Sequence, residues 1–223
     1  MKSQHRTNKA KDPVARTAPE ILPEIHQLTT AEVLDGAEIS FRECFIENLS
    51  FKDRSFKSVV FEGCVLEHLD FSRSSLRGLR LKDVRLIECD FANAEAIGLK
   101  AVRTEFINCR LTGLRAIESE WQDLLISEGD ASFSQFRLGT FKTSEFNGGN
   151  FAEADFHGCD LRGAVLKSCE FKNADMTGTK LESADFRGSR VEGLMALAAD
   201  LKGAIVDPTQ AMIFAELLGF KIR

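Results

Sequence analysis

The side chains that could do chemistry are scattered through this chain of 223 residues. Its four histidines are dispersed, and no pair of residues has the His-x-x-x-His or Cys-x-x-Cys spacing of a zinc site. Carboxylates are plentiful, but acid–base catalysis needs a shielded pocket that shifts one pKa. The sequence contains no phosphate-binding loop, nucleophile elbow or dinucleotide fingerprint. We therefore predict no metal, no cofactor and no enzymatic activity.

Charge and hydropathy exclude further classes of protein. The chain has 29 basic and 34 acidic residues, a net charge of −5, which is too balanced for direct binding to nucleic acid. It has no run of eighteen apolar residues, as a membrane-spanning helix would need. The first twenty residues lack the apolar stretch of a secretory signal. These observations predict a cytoplasmic protein that does not enter a membrane.

A period of five residues organises the chain from Phe41 to Leu201. Every fifth residue in this range is apolar at all 33 positions, 23 of them Phe or Leu. Two residues earlier the side chain is mostly small, and all six cysteines occupy this position. Eleven of the 16 glycines lie two residues after the apolar one, which indicates a recurrent turn. Neither a helix nor a strand has this period, so the chain must bend in the same sense in every unit. The pattern predicts a solenoid around an apolar column.

The clearest units read ADFHG at 154–158, CDLRG at 159–163, ADMTG at 174–178 and ADFRG at 184–188. This motif of a small residue, Asp, a large apolar residue and two variable residues resembles the pentapeptide-repeat family. The resemblance implies an all-β fold, a right-handed, four-sided parallel β-helix with four pentapeptides per coil and about eight coils. The 18 Phe without any Tyr fit a column in which a hydroxyl would lack a partner.

The two ends depart from the repeat and predict caps. We expect a disordered polar head over 1–27, an N-terminal cap over 28–38, the repeats over 39–205, and a C-terminal helix and strand over 206–223. Asp207 can begin the helix, with Pro208 in its first turn, and Gly219 can end it. In the Qnr and MfpA members of the family, a similar helix and strand join two rods, which implies a homodimer here; the alternative is a monomeric cap. The residues expected in the dimer interface are Met212, Ile213, Phe214, Leu217, Leu218 and Phe220.

Two groups of outward-facing residues are candidate partner surfaces. The first is a run of carboxylates without a basic residue among them; we refer to it as the acidic strip. The second lies where the column shrinks to Ala and outward residues become apolar; it predicts a partner groove, a docked N-terminal tail, or a local distortion that turns these residues inward. Trp121 has the phase of a core residue. The acidic strip comprises Glu118, Glu120, Asp123, Glu128 and Asp130, and the mid-rod apolar band comprises Ile87, Ile97, Val102, Ile107 and Ile117.

The cysteines and the repeated Asp also have simpler interpretations. Cys44 and Cys64 lie one predicted coil apart, as do Cys89 and Cys109, which places each pair near disulfide distance. Cysteine shares its position with Ala and Ser, however, so we predict small buried thiols that stay reduced. The Asp that precedes the large apolar residue is expected to bond the backbone of its own turn.

Function must then come from the surface of a rigid rod. The resemblance implies binding to DNA gyrase or topoisomerase IV by mimicry of duplex DNA, with protection from quinolones or a toxin. Residues 39–206 hold 26 acidic and 22 basic residues, so mimicry by the whole rod is poor. The alternatives are an interaction scaffold with another partner, or a secreted effector addressed by its basic head.

Overall fold

The computed structural model describes residues 14–23, 26–27 and 38–222, with the backbone alone at 26–27. Residues 28–37, on which the N-terminal cap was predicted, lie outside this part. Short strands and one helix make up the regular structure. The strands are β1 His26–Gln27, β2 Glu38–Arg42, β3 Cys44–Glu47, β4 Ser55–Phe56, β5 Ser58–Glu62, β6 Val65–Glu67, β7 Ser75–Leu76, β8 Arg80–Ile87, β9 Lys100–Ile107, β10 Glu120–Ser127, β11 Thr140–Lys142, β12 Glu145–Asn147 and β13 Val165–Lys167, followed by the helix α1 Pro208–Leu217.

All the strand pairs are parallel, and from β2 onward their register is twenty residues. Arg80 of β8 pairs with Lys100 of β9, which pairs with Glu120 of β10. Isolated bridges extend the same register to the pair of Asp185 with Ile205. Four pentapeptides therefore make one coil, and the predicted parallel β-helix is confirmed.

A left-handed backbone marks the turn in nearly every unit. The eleven glycines singled out by their phase all have φ between 61° and 81°. Where glycine is absent, residues such as Asp83 (φ 56°) and Asp123 (φ 55°) take the same conformation. A side chain at this position costs about 1 kcal/mol or more, which explains the preference for glycine there. We call it the turn position.

Aromatic stacks fill the interior along the rod axis. The rings of Phe51, Phe71 and Phe91 follow one another at twenty-residue intervals, with centroids 4.9 and 4.8 Å apart. Phe151 and Phe171 continue the same line with stacked rings at 5.3 Å. These side chains are fully buried or nearly so, as the period predicted.

The middle of the rod keeps its register, so the predicted inward distortion is wrong. Ile97 remains 44% exposed, and the other members of the mid-rod apolar band are half-buried. Each unit has two inward positions, one usually small and, two residues later, one usually large. In two units of the middle this order is reversed, because Leu99 precedes Ala101 and Leu114 precedes Ala116.

Trp121 is buried in the column, as predicted. Its indole N–H donates to the Ser119 hydroxyl, and its ring stacks on Phe141 at 5.9 Å. The polar atom of the indole is thus satisfied inside the column, and the side chain serves as a core residue.

Helix α1 covers the last coil. The Asp207 carboxylate accepts from the Gln210 N–H, and the Gln210 side chain accepts from the Asp207 N–H, a capping box at the predicted start. The Gln210 amide also donates to the carbonyls of Phe186 and Ser189 below it. Gly219 (φ 87°) follows the helix as expected, but residues 220–222 form no strand.

Candidate partner-binding surfaces

Residues 14–23 form an extended segment along one side of the rod; we call it the strap. The sequence predicted a disordered head here, although a docked tail was one of the alternatives. The Thr17 N–H donates to Asp123 Oδ1 at 3.1 Å, and the Glu20 N–H donates to Asp83 Oδ1 at 2.9 Å. Further along, β1 pairs with the first residues of β3. The strap therefore runs from the middle coils toward the N-terminal end of the rod.

Arg16 adds a charged side-chain contact to these main-chain bonds. Its Nη2 donates to Glu105 Oε1 at 2.6 Å, and its Nε lies 3.8 Å from Glu145 Oε2. Arg85, one coil from Glu105, donates to the other oxygen of that carboxylate at 2.8 Å. Burial raises the pKa of Glu105, but the bonds from Arg85 and Arg16 outweigh it and hold that pKa below its usual range.

The strap covers three enclosed carboxylates on the surface of the rod. Asp83, Glu105 and Asp123 are all buried, and each accepts a hydrogen bond from the strap. With Glu145 they line what we call the strap groove. Burying a carboxylate is costly unless donors satisfy it, and the strap both covers these carboxylates and supplies donors to them. The repeat does not reveal this groove, because the strap lies outside the repeats.

Charged side chains along the rod, including Asp83 of the strap groove, form pairs between coils. The two partners are usually twenty residues apart, so that each cation stacks directly on a carboxylate of the next coil. Single exposed pairs contribute little to stability, but together they neutralise much of the acidic surface. Pairs of this kind are Arg73–Asp53, Lys82–Glu62, Lys100–Glu120, Arg103–Asp83, Arg110–Asp90, Arg115–Glu95 and Arg190–Glu170.

The predicted acidic strip does not lie on one side of the rod. Glu118, Asp123 and Glu128 take the turn position in three successive units, so they point away from different turns of one coil. Glu120 is paired with Lys100 at 2.7 Å. Asp130 accepts from the Ser132 N–H and from the Asn150 amide, as expected for an Asp that stabilises its turn. Glu118 and Glu128 are exposed, and neither forms an ion pair within the described part of the chain.

The mid-rod apolar band is also divided. Ile87 and Ile107 pair in register, whereas Ile97 and Ile117 lie one coil apart on another side, and Val102 lies between Lys82 and Gln122. These residues do not make a single groove.

Two apolar side chains that the sequence analysis missed are more exposed than this band. Phe133 and Leu138 both take the turn position, with φ of 59°, and both are 55% exposed. A bulky residue in left-handed backbone is unusual. Their signal in the sequence was a large apolar residue at the phase where glycine or a polar residue usually stands.

The predicted dimer residues divide into buried and exposed members of the C-terminal segment. Phe214 is 8% exposed and packs in the core of its own chain, and Ile213 packs against that core. The remaining four, with Ile222, are exposed, led by Phe220 at 66%. The exposed side chains are Met212, Leu217, Leu218, Phe220 and Ile222.

The thiols are all free and buried. The Cys44 and Cys64 sulfurs are 3.3 Å apart. Burial raises the pKa of Cys159 and of Cys169 to about 12.

Within the described residues, no three His, Cys, Asp or Glu side chains gather to hold a metal ion. The helix in this part of the chain is too short to cross a membrane.

Comparison with known families and structures agrees with this architecture. The model of the family "Pentapeptide repeats" matches residues 55–93 and 150–188, in eight copies. A trypsin-treated variant of QnrB1, a plasmid-mediated fluoroquinolone resistance protein, is 19% identical with a TM-score of 0.57. The match covers 90% of this chain and all of that one. HetL, a pentapeptide-repeat protein involved in heterocyst differentiation regulation in the cyanobacterium Nostoc, is 16% identical with a TM-score of 0.31, over 75% of this chain and 91% of HetL. The comparison with curated proteins gave no match.

Proposed function

Because the chain belongs to the pentapeptide-repeat family, we propose that it is a non-enzymatic rod that acts by binding another protein. The observation that carries this proposal is the filled interior. Phe51, Phe151 and Phe171 are completely buried in continuous stacks, so the column has no room for a substrate. Recognition is then left to the outer surface, where exposed apolar residues and a carboxylate groove interrupt the repeat.

The first partner to test is DNA gyrase or topoisomerase IV. The similarity in fold to the trypsin-treated variant of QnrB1, a fluoroquinolone resistance protein, supports the choice of assay. Mimicry of DNA is supported less well, because cations one coil away neutralise many of the carboxylates. A protein scaffold with another partner is the second candidate, which the exposed apolar side chains Phe133 and Leu138, on two sides of one coil, favour.

A gyrase supercoiling assay with the full chain separates these candidates. Inhibition, or protection of the enzyme from ciprofloxacin, supports a topoisomerase partner. The matched variant Glu118→Lys/Glu128→Lys changes two exposed carboxylates, whereas Glu120→Lys changes one already paired with Lys100. Loss of the effect in the first variant but not in the second supports an electrostatic contact. No effect of the wild-type chain on enzyme from its own source rejects the topoisomerase partner.

We also propose a homodimer through the exposed apolar residues of the C-terminal segment. Five apolar side chains within eleven residues are 40–66% exposed, and a concentration of exposed apolar side chains typically marks an interface. A twofold axis through this end would join two rods.

A further inference from the structure

The spacing of the main-chain donors on the strap matches the spacing of the carboxylates in the strap groove. The two strap N–H groups that donate to Asp83 and Asp123 belong to Glu20 and Thr17, three residues apart. Three residues of extended chain span about 10 Å. Asp83 and Asp123 are separated by two coils, which is about 9.6 Å at the strand spacing. The strap, which runs along the rod, places one main-chain donor on each of these carboxylates.

Most of the recognition in this groove does not depend on the strap's sequence. Two of the three hydrogen bonds use main-chain N–H groups, which any residue except proline supplies. The third uses the Arg16 guanidinium, on the Glu105 carboxylate. The side chains of Val14 and Leu22 point largely into solvent. The groove thus requires an extended segment with one arginine next to the first donor.

The charge of the groove explains why the arginine matters. Glu105 and Glu145 both lie near Arg16, and Glu105 is buried. Asp123, on the coil next to that of Glu105, is buried as well. Arg85 and Arg103 offset part of this charge, through Glu105 and Asp83. A cation on the incoming segment offsets more of it, because Arg16 donates to Glu105 and also lies 3.8 Å from Glu145.

We propose that the strap groove is a binding site for an extended, arginine-containing segment of a partner protein, and that residues 14–20 occupy it until the partner displaces them. The inference rests on the proposed function as a protein-binding rod, but not on the identity of the partner. The strap is tethered to the groove, so it competes at a high effective concentration. A partner segment binds well only when the strap is weakened or when other contacts on the rod assist it.

The test uses the full chain and a fluorescent peptide with the sequence of residues 14–23 as the probe. The variant Arg16→Glu/Thr17→Pro removes the guanidinium and one donor from the tethered strap. Thr17→Ala is the matched control, because the Thr17 side chain is exposed and its N–H is retained. Fluorescence anisotropy is expected to show the peptide binding the double variant about tenfold or more tighter than it binds the wild type or the control.

A further substitution locates the peptide. Adding Asp123→Asn to the double variant removes the charge that accepts from Thr17, and we expect about fivefold weaker binding. Circular dichroism establishes that each variant keeps its β-helix; should the double variant unfold, Thr17→Pro alone replaces it. Absence of peptide binding to the folded variant overturns the inference, as does binding that Asp123→Asn leaves unchanged. A negative gyrase assay with positive peptide binding rejects only the topoisomerase partner.

Discussion

Arg103 lies one coil from Asp83 and donates two hydrogen bonds of 2.6 Å to its carboxylate, one to each oxygen. The Glu20 N–H of the strap donates a third, at 2.9 Å. Burial raises the pKa of Asp83, but these donors outweigh it and hold that pKa below its usual value. The hydrogen bonds with Asp83 also raise the pKa of Arg103. One carboxylate thus connects two coils and the N-terminal strap.

This relationship predicts a loss of stability in acid. A carboxyl whose pKa is lowered by folding contributes stability above its unfolded pKa, about 3.9 for Asp, and loses it as the pH falls through the folded value. Folding lowers the pKa of both Asp83 and Glu105. We expect the free energy of unfolding in urea to fall as the pH is lowered from about 5 to about 3. Asp83→Asn should reduce this dependence, and an identical pH profile in the variant would contradict the assignment.

The aromatic column should not tolerate a charge. Phe151 is completely buried and stacks on Phe171 at 5.3 Å. Phe151→Asp leaves a carboxylate without a partner in the column, and we expect a loss of more than about 4 kcal/mol in the free energy of unfolding. Phe151→Leu, which retains an apolar side chain, should cost about 1–2 kcal/mol. Urea unfolding followed by circular dichroism measures both, and similar costs for the two would show that the stack is not a close-packed core.

Substitutions in the C-terminal segment distinguish a cap from a dimer interface. Phe214→Asp buries a charge within its own chain, so it should destabilise the last coil whatever the oligomeric state. Leu217→Asp/Phe220→Asp changes exposed residues and should convert a dimer into folded monomers. Size-exclusion chromatography with light scattering measures the mass of each. A wild-type chain that is already monomeric at high concentration would reject the proposed dimer.

The buried thiols should be unreactive in the folded protein. Thiolate is the reactive form, and a pKa of about 12 for Cys159 and Cys169 leaves almost none at neutral pH. All six thiols are also buried, which keeps the reagent away from them. We expect Ellman's reagent to modify fewer than one thiol per folded chain in mildly alkaline buffer, and all six in denaturant. Rapid modification of the native protein would show that a coil opens locally.

The exposed pair at the turn position should contribute to binding and not to folding. Phe133→Gly places the preferred residue in left-handed backbone, so the free energy of unfolding should stay within about 1 kcal/mol of the wild type. Gly98→Ala makes the opposite change, from glycine to a residue with a side chain at the turn position. An added Cβ at Gly98 would meet no atom within 4 Å, so the cost of about 1 kcal/mol should come from the backbone, where φ is +67°. A loss of about 3 kcal/mol in Phe133→Gly, the size expected for a core truncation, would mean that Phe133 packs as a core residue.

The repeat could be predicted from the sequence because each unit carries the same information. The apolar column, the turn glycines and the backbone-bonding Asp follow from a period that needs no knowledge of distant contacts. Asp155, for example, accepts from the His157 N–H two residues later, within its own turn. The capping residues of α1 are equally local.

Contacts that occur once could not be predicted in this way. Arg16 meets Glu105 across 89 positions of sequence, and nothing in the repeat reserves a place for it. The acidic strip was inferred from adjacency in sequence, whereas neighbours five residues apart lie on different sides of a coil. The distortion expected near Ala101 did not occur, because Leu99 supplies the missing volume from the other inward position.

The enclosure of Trp121 has an optical consequence. The chain has one Trp and no Tyr, so its indole emission comes from a single place in the middle coils. An indole buried in the apolar column and bonded to Ser119 should emit at short wavelength. The protein therefore carries a built-in spectroscopic reporter, and a red shift of its emission would follow the opening of the central coils separately from fraying at either end.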